Sequence, residues 1–267
     1  MFDQFLPHHR STMEQTLAHY QADPRYLALI IGGSLIKGYG RPDSDVDIML
    51  ITTDEEYDRL AEKREFTLYR PDLSTYEGEG AYVDGKFLNL QFLRDAAERG
   101  SEPTRWSFQK AIIAFSKIPD LETLISKIGQ YPIHEQEAKI RSFYGQFVIF
   151  KWFVGEAQKR QNTYLMAQAS ANLVLYGSRL ILAHNQMLYP YHKWMMAELQ
   201  RAPEKPEHML EYAEAFLKTP SVETADSFYT CINEFRDWGI SFEDGINAFA
   251  QDSERYWLHG RPALTDW

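Results

Sequence analysis

Cysteine is almost missing from this chain. Its 267 residues include one, Cys231, so no disulfide can form within the chain. Its neighbours Phe228, Tyr229, Ile232 and Phe235 mark it as a thiol packed in a helix rather than a nucleophile. Long apolar runs are missing as well: nothing approaches the ~20 residues that a membrane span needs. The first residues, MFDQFLPHHR, lack the basic stretch and long apolar segment of a signal peptide. Positive charge is in deficit, with 28 Lys and Arg against 38 Asp and Glu and a formal charge of −10. That balance argues against a nucleic-acid surface, which requires clustered cations. A cationic small molecule, or a nucleotide brought in with its metal, suits an acidic protein better. The sequence therefore predicts a soluble, cytoplasmic protein whose partners are small molecules. What remains is an ordinary globular composition, able to build a core in one large domain or two modest ones.

The chain changes character near Gly129 to Pro132, where glycine and proline coincide. The predicted architecture is α+β: residues 1–129 form a domain with a mixed sheet and flanking helices, and residues 130–267 an α-helical domain. Ser11 and Glu14 have capping-box spacing ahead of a helix over 12–21. YLALII (26–31) is a continuous apolar run of strand length, VDIMLIT (46–52) a second, and FTLYR (66–70) a further strand. Thr53 or Asp54 can cap a helix over 54–63. In GAYVDGKFLNLQFL (80–93), Asp84-Gly85 between two β-rich runs predicts a hairpin turn, with Asn89 and Gln91 as polar positions of its second strand. A helical stretch with Arg105 and Lys110 on its surface follows. Beyond the boundary, Ile140, Phe143, Phe147, Phe150 and Val154 step by three and four, the stripe of an amphipathic helix. A second long helix is predicted over 163–187, broken at Tyr189-Pro190, and further helical segments over 209–217 and 222–257, the last with a bend at Gly239.

The chemistry concentrates between Leu29 and Thr52. Gly33-Ser34 follows one strand, and Asp45 and Asp47 open the next. Carboxylates two residues apart on a strand share a face. A bare backbone turn beside such a pair suits a metal-bound triphosphate, because Mg²⁺ takes oxygen ligands and only one or two protein carboxylates. Gly33 lets the backbone approach the phosphates, and the Ser34 hydroxyl can donate to them. Lys37 and Arg41 are candidate phosphate contacts in the loop that follows, and Ser44 either caps that loop or places Asp45.

Gly33-Ser34, ten intervening residues and then Asp45-Val46-Asp47-Ile48 resemble the signature of the nucleotidyltransferase superfamily that includes DNA polymerase β. The loop Gly33-Ser34-Leu35-Ile36-Lys37-Gly38 is similar to those of bacterial aminoglycoside and lincosamide nucleotidyltransferases, which also carry a C-terminal helical domain. The resemblance covers residues 12–95 by motif and the remainder by architecture. It implies Mg²⁺ as cofactor, ATP as substrate, and transfer of AMP to a hydroxyl of a small molecule. The family carries a third carboxylate on a later strand, inside an apolar-Asp-apolar run. The matching run is expected at Phe87-Leu88-Asn89-Leu90-Gln91, which puts Asn89 in the catalytic position beside Asp45 and Asp47. An amide can coordinate a metal but cannot accept a proton near neutral pH. Two other functions therefore stay open: a non-catalytic nucleotide-binding or regulatory protein, and an antitoxin-like enzyme that adenylylates a protein. Glu156 is a candidate base from the helical part, and His192 and Lys193 are candidate substrate contacts.

Overall fold

Pro7 sets where the first helix begins. Helix α1 (Pro7–Gln21) has this proline in its first turn and no side-chain cap, a position where the missing N–H costs nothing. The Ser11/Glu14 pair thus lies inside the helix, which starts earlier than 12–21. The structure, a computed structural model, describes residues 1–74, 82–258 and 260. It divides into two units, Met1–Gln130 and Tyr131–Trp267.

In the first unit β1 (Tyr26–Ile31), α2 (Gly33–Lys37), β2 (Val46–Thr52), α3 (Asp54–Lys63), β3 (Thr67–Arg70), β4 (Val83–Leu88), α4 (Leu90–Arg99), α5 (Glu102–Phe108), β5 (Ile112–Ser116) and α6 (Leu121–Ile128) follow in order. The sheet order is β3-β4-β2-β1-β5. β2 and β4 are parallel and the other pairings antiparallel, so the fold is α+β with a mixed sheet. β1 and β2 are buried on both faces, which is why their sequences hardly alternate. Leu29, Ile31, Ile48, Leu50 and Val83 pack with Met13 and Tyr20 of α1. Ala28, Ile30, Met49, Ile51 and Leu88 pack on the other side with Leu93 and Ala97 of α4, Phe108 of α5 and Ile125 of α6. Thr53 caps α3, its side chain accepting from the Glu56 amide.

Three expectations are corrected here. Asp84-Gly85 is not a hairpin turn: both residues lie inside β4, which runs parallel to β2 with Gly85 opposite Ile48. A Cβ on Gly85 would sit 2.6 Å from the Ile48 carbonyl oxygen, so glycine is there for close strand approach rather than for a turn. Asn89 is not on a strand. It is the N-cap of α4, accepting from the Phe92 amide at 2.9 Å while its Nδ2 donates to Asp54 Oδ1 at 3.2 Å, and Gln91 belongs to that helix. Arg105 is buried rather than on a surface, its guanidinium donating to the carbonyls of Gly100 at 3.0 Å and Ala97 at 3.2 Å. β5 had no counterpart in the sequence reading.

The second unit contains α7 (Gln136–Lys159), α8 (Thr163–His184), α9 (Met195–Arg201), α10 (Met209–Lys218), α11 (Val222–Asn233) and α12 (Phe242–Phe249), and no strand among its described residues. Phe147, Leu173, Leu180, Phe216, Phe228 and Ile232 are fully buried at its centre. The segment 222–257 is interrupted between α11 and α12, where Trp238 Nε1 donates back to the Ile232 carbonyl at 3.1 Å. Burial pushes the Cys231 thiol up to about 11, so it stays protonated at neutral pH and is a poor nucleophile. Among the described residues no helix is long and apolar enough to cross a membrane.

Candidate active site

The acid-bearing end of the sheet is built where β1 stops and β2 starts. Gly32 N donates to the Asp47 carbonyl at 3.0 Å, pinning the turn to the neighbouring strand. Gly33 follows with φ of 73°, and a Cβ there would overlap the Asp47 carboxylate. Both facts require glycine: the left-handed region strains any other residue, and the carboxylate occupies the space a side chain would take. The turn does not continue as a loop but opens α2, in which Ser34 is buried. Gly38, with φ of 77°, closes it.

Strand pairing brings the third acid. Asp47 of β2 and Asp84 of β4 are direct partners in the parallel ladder, so their side chains leave the same face. Asp45, two residues before Asp47, shares that face. One carboxylate oxygen from each of Asp45, Asp47 and Asp84 lies within 4.8 Å of the other two. Asp84 therefore joins Asp45 and Asp47 on this face, whereas Asn89 caps α4. Two carboxylates about 5 Å apart repel by about 3 kcal/mol at an effective dielectric of about 20, and by about 1 kcal/mol in bulk water. Three together favour a cation, and an all-carboxylate oxygen set fits a hard divalent ion such as Mg²⁺.

The other residues singled out by sequence are placed differently. The Lys37 ammonium is buried, donating to the Gln109 carbonyl and sitting 4.5 Å from the centre of the Trp106 ring. Ser44 closes the turn before Asp45: its Oγ accepts from the Arg41 amide at 2.9 Å, while Arg41 pairs with Asp43 at 3.0 Å. That turn is held to α1 by two histidines, His8 Nε2 on the Pro42 carbonyl at 2.9 Å and His9 Nε2 on the Ser44 carbonyl at 3.1 Å. In the helical unit Glu156 is paired with Arg160 at 2.9 Å, His192 Nδ1 with the Tyr189 hydroxyl at 3.1 Å, and Lys193 lies over Trp194.

Sequence reasoning missed Tyr82 and Tyr69, and took Asp84 for a structural turn residue. Tyr82 immediately precedes β4, and its carbonyl accepts from Val46 N at 3.0 Å. The Asp45 carboxylate beside its hydroxyl, with partial burial, raises the phenol above its ordinary value. Tyr69 of β3 is the cross-strand partner of Asp84, and its ring lies 4.9 Å from that of Tyr82. The available signal was the alternation Tyr82, Asp84, Lys86, a polar face of period 2 hidden by the Asp-Gly dipeptide.

No protein-family model and no curated protein sequence matches the chain. Its fold is similar to the crystal structure of a nucleotidyltransferase-like protein from Exiguobacterium sibiricum 255-15. The two are 12% identical, with a TM-score of 0.47 over 96% of this chain and 82% of the other. A likeness at this level assigns no role to any residue of the chain.

Proposed function

We propose that the protein is a Mg²⁺-dependent nucleotidyltransferase that moves AMP from ATP to a hydroxyl of a small-molecule acceptor. The observation that carries this reading is the register of Asp47 with Asp84, which assembles three carboxylates beside the left-handed turn at Gly33. Asp45 and Asp47 would hold the metal, with Asp84 completing the set. Bound there, Mg²⁺ supplies charge neutralisation of the phosphates and of the leaving pyrophosphate. Asp84, on the side away from Gly33, takes the proton of the acceptor hydroxyl. The acceptor oxygen then forms a bond to the α-phosphorus as the bond to the pyrophosphate oxygen breaks, and pyrophosphate leaves with the electron pair. Gly33, having no side chain, leaves the Asp47 carboxylate the room it occupies beside the turn. The support that Asn89 lent to a non-catalytic role falls away, because Asn89 caps a helix and Asp84 supplies the acid.

The test is pyrophosphate release by the purified protein with Mg²⁺-ATP and a panel of hydroxyl acceptors. Release that needs both Mg²⁺ and an acceptor supports the reading, and activity persisting in an Asp45→Ala/Asp47→Ala double variant sinks the mechanism.

A further inference from the structure

The face of the sheet that carries the acids continues past them. Along β4 the residues on this face are Asp84, Lys86 and the buried Leu88, with Tyr82 just before the strand. On β3, Tyr69 stands opposite Asp84 and Thr67 opposite Lys86. Tyr69 is 63% exposed and Lys86 is exposed. The strand order places these residues on the opposite side of Asp47 from β1 and Gly33. The phosphate side of the proposed site is thus the β1 side of β2, and the β4–β3 side is where an acceptor must approach Asp84.

The charges divide in the same way. Lys37 is spent on Gln109 and Trp106, Arg41 on Asp43, and Arg70 on Asp72 at 2.6 Å. The Lys86 side chain has no hydrogen-bond or ion-pair partner among the described residues. Its Cα lies roughly 7 Å along the strand from that of Asp84, about the width of a sugar ring, and its side chain leaves the same face.

We propose that Lys86 and Tyr69 form the acceptor subsite, and that it takes a ring-bearing hydroxyl compound with an anionic group, phosphate or carboxylate, about one ring's width from the reacting hydroxyl. The ring's flat face lies on Tyr69, the anion pairs with Lys86, and the hydroxyl is left over Asp84. This assignment rests on the nucleotidyltransferase reading and selects an anionic acceptor over the cationic one that net charge alone would favour.

The experiment uses the full chain with Mg²⁺-ATP and three probes: glucose, glucose 6-phosphate and glucuronate. Pyrophosphate release is followed for the wild type, Lys86→Met and Tyr69→Ala. At least one anionic probe is expected to exceed glucose in kcat/KM by roughly 10- to 100-fold, the range of a charge-assisted contact, and the two anionic arms distinguish phosphate from carboxylate. Lys86→Met should erase that preference by raising KM for the anionic probe while leaving KM for ATP unchanged. A rise in KM for ATP in Lys86→Met would reassign the lysine to the triphosphate and overturn the proposal. Equal use of glucose by the wild type would also overturn it, as would a Lys86→Met variant with both KM values unchanged, the result for a lysine that only keeps the sheet face soluble. Calorimetric binding of the same probes without ATP separates this proposal from the reaction itself. If no probe turns over, binding of an anionic probe that Lys86→Met abolishes still upholds the subsite, and no binding of either anionic probe removes it.

Discussion

Asp47 and Asp84 are partners across a parallel strand pair, and the function proposed for this chain depends on that register. A shift of one residue would turn one carboxylate to the opposite face, where Ile48, Leu50 and Val83 pack against α1.

Substitution at Asp84 and at Asn89 should therefore give opposite phenotypes. Asp84→Asn is expected to cut pyrophosphate release by at least about 100-fold with little loss of stability, the usual scale for removing a positioned base. Asn89→Ala should leave turnover near the wild-type level and lower unfolding free energy by about 1 kcal/mol, the cost of a lost N-cap. Steady-state kinetics and urea denaturation of both variants check the pair.

Gly33→Ala should fail twice. The left-handed backbone costs about 1–2 kcal/mol for a residue with a Cβ, and that Cβ overlaps the Asp47 carboxylate. Divalent-ion affinity should drop along with stability, which Mn²⁺ titration by electron paramagnetic resonance and thermal melting would report separately.

Lys37→Met should behave as a structural lesion. With its ammonium buried against Trp106 and the Gln109 carbonyl, loss of about 1–3 kcal/mol is expected, and KM for ATP should not change. A selective rise in KM for ATP would return Lys37 to the phosphate site.

Acid should loosen the turn that leads into Asp45. Burial, with the neighbouring His8, lowers the His9 pKa below its ordinary 6.5. As pH falls through about 6.5 the unfolded chain takes up this proton before the folded one does. The contribution of His9 is thus present above that value and is lost as pH drops through the lower folded value. His9→Gln should flatten the fall in melting temperature between pH 7.5 and pH 5.5 relative to the wild type.

The elements legible in the sequence are those whose pattern and environment agree. YLALII reads as a strand buried on both faces because it is one, and the three-and-four stripe of α7 survives in Phe143, Phe147 and Phe150 packed in the helical core. Gly33 beside Asp45-x-Asp47 was legible in the same way, as a turn next to paired acids, whereas Ser34 is buried in α2. Asp84 was hidden because Asp-Gly is a strong hairpin-turn dipeptide, and only the tertiary approach of β4 to Ile48 explains a glycine in mid-strand. Asn89 was misplaced because Leu88, Leu90 and Phe92 alternate like a strand. The helical spacing of Leu93, Ala96 and Ala97, all buried on α4, starts three residues later. Arg105 shows a further limit: a lone arginine in a helix reads as surface until three backbone carbonyls are found around it.

Parallel pairing of β2 with β4 has one more consequence. A parallel partner cannot be reached by a tight turn, so the chain must leave β2, travel through α3 and β3, and return to the same end before Asp84 meets Asp47. Asp45 and Asp47 are neighbours in any conformation of the chain, whereas the third carboxylate joins them only after this non-local closure. A divalent ion that draws on all three would consequently distinguish a finished sheet from a partly folded one, and its uptake during refolding would time the arrival of β4.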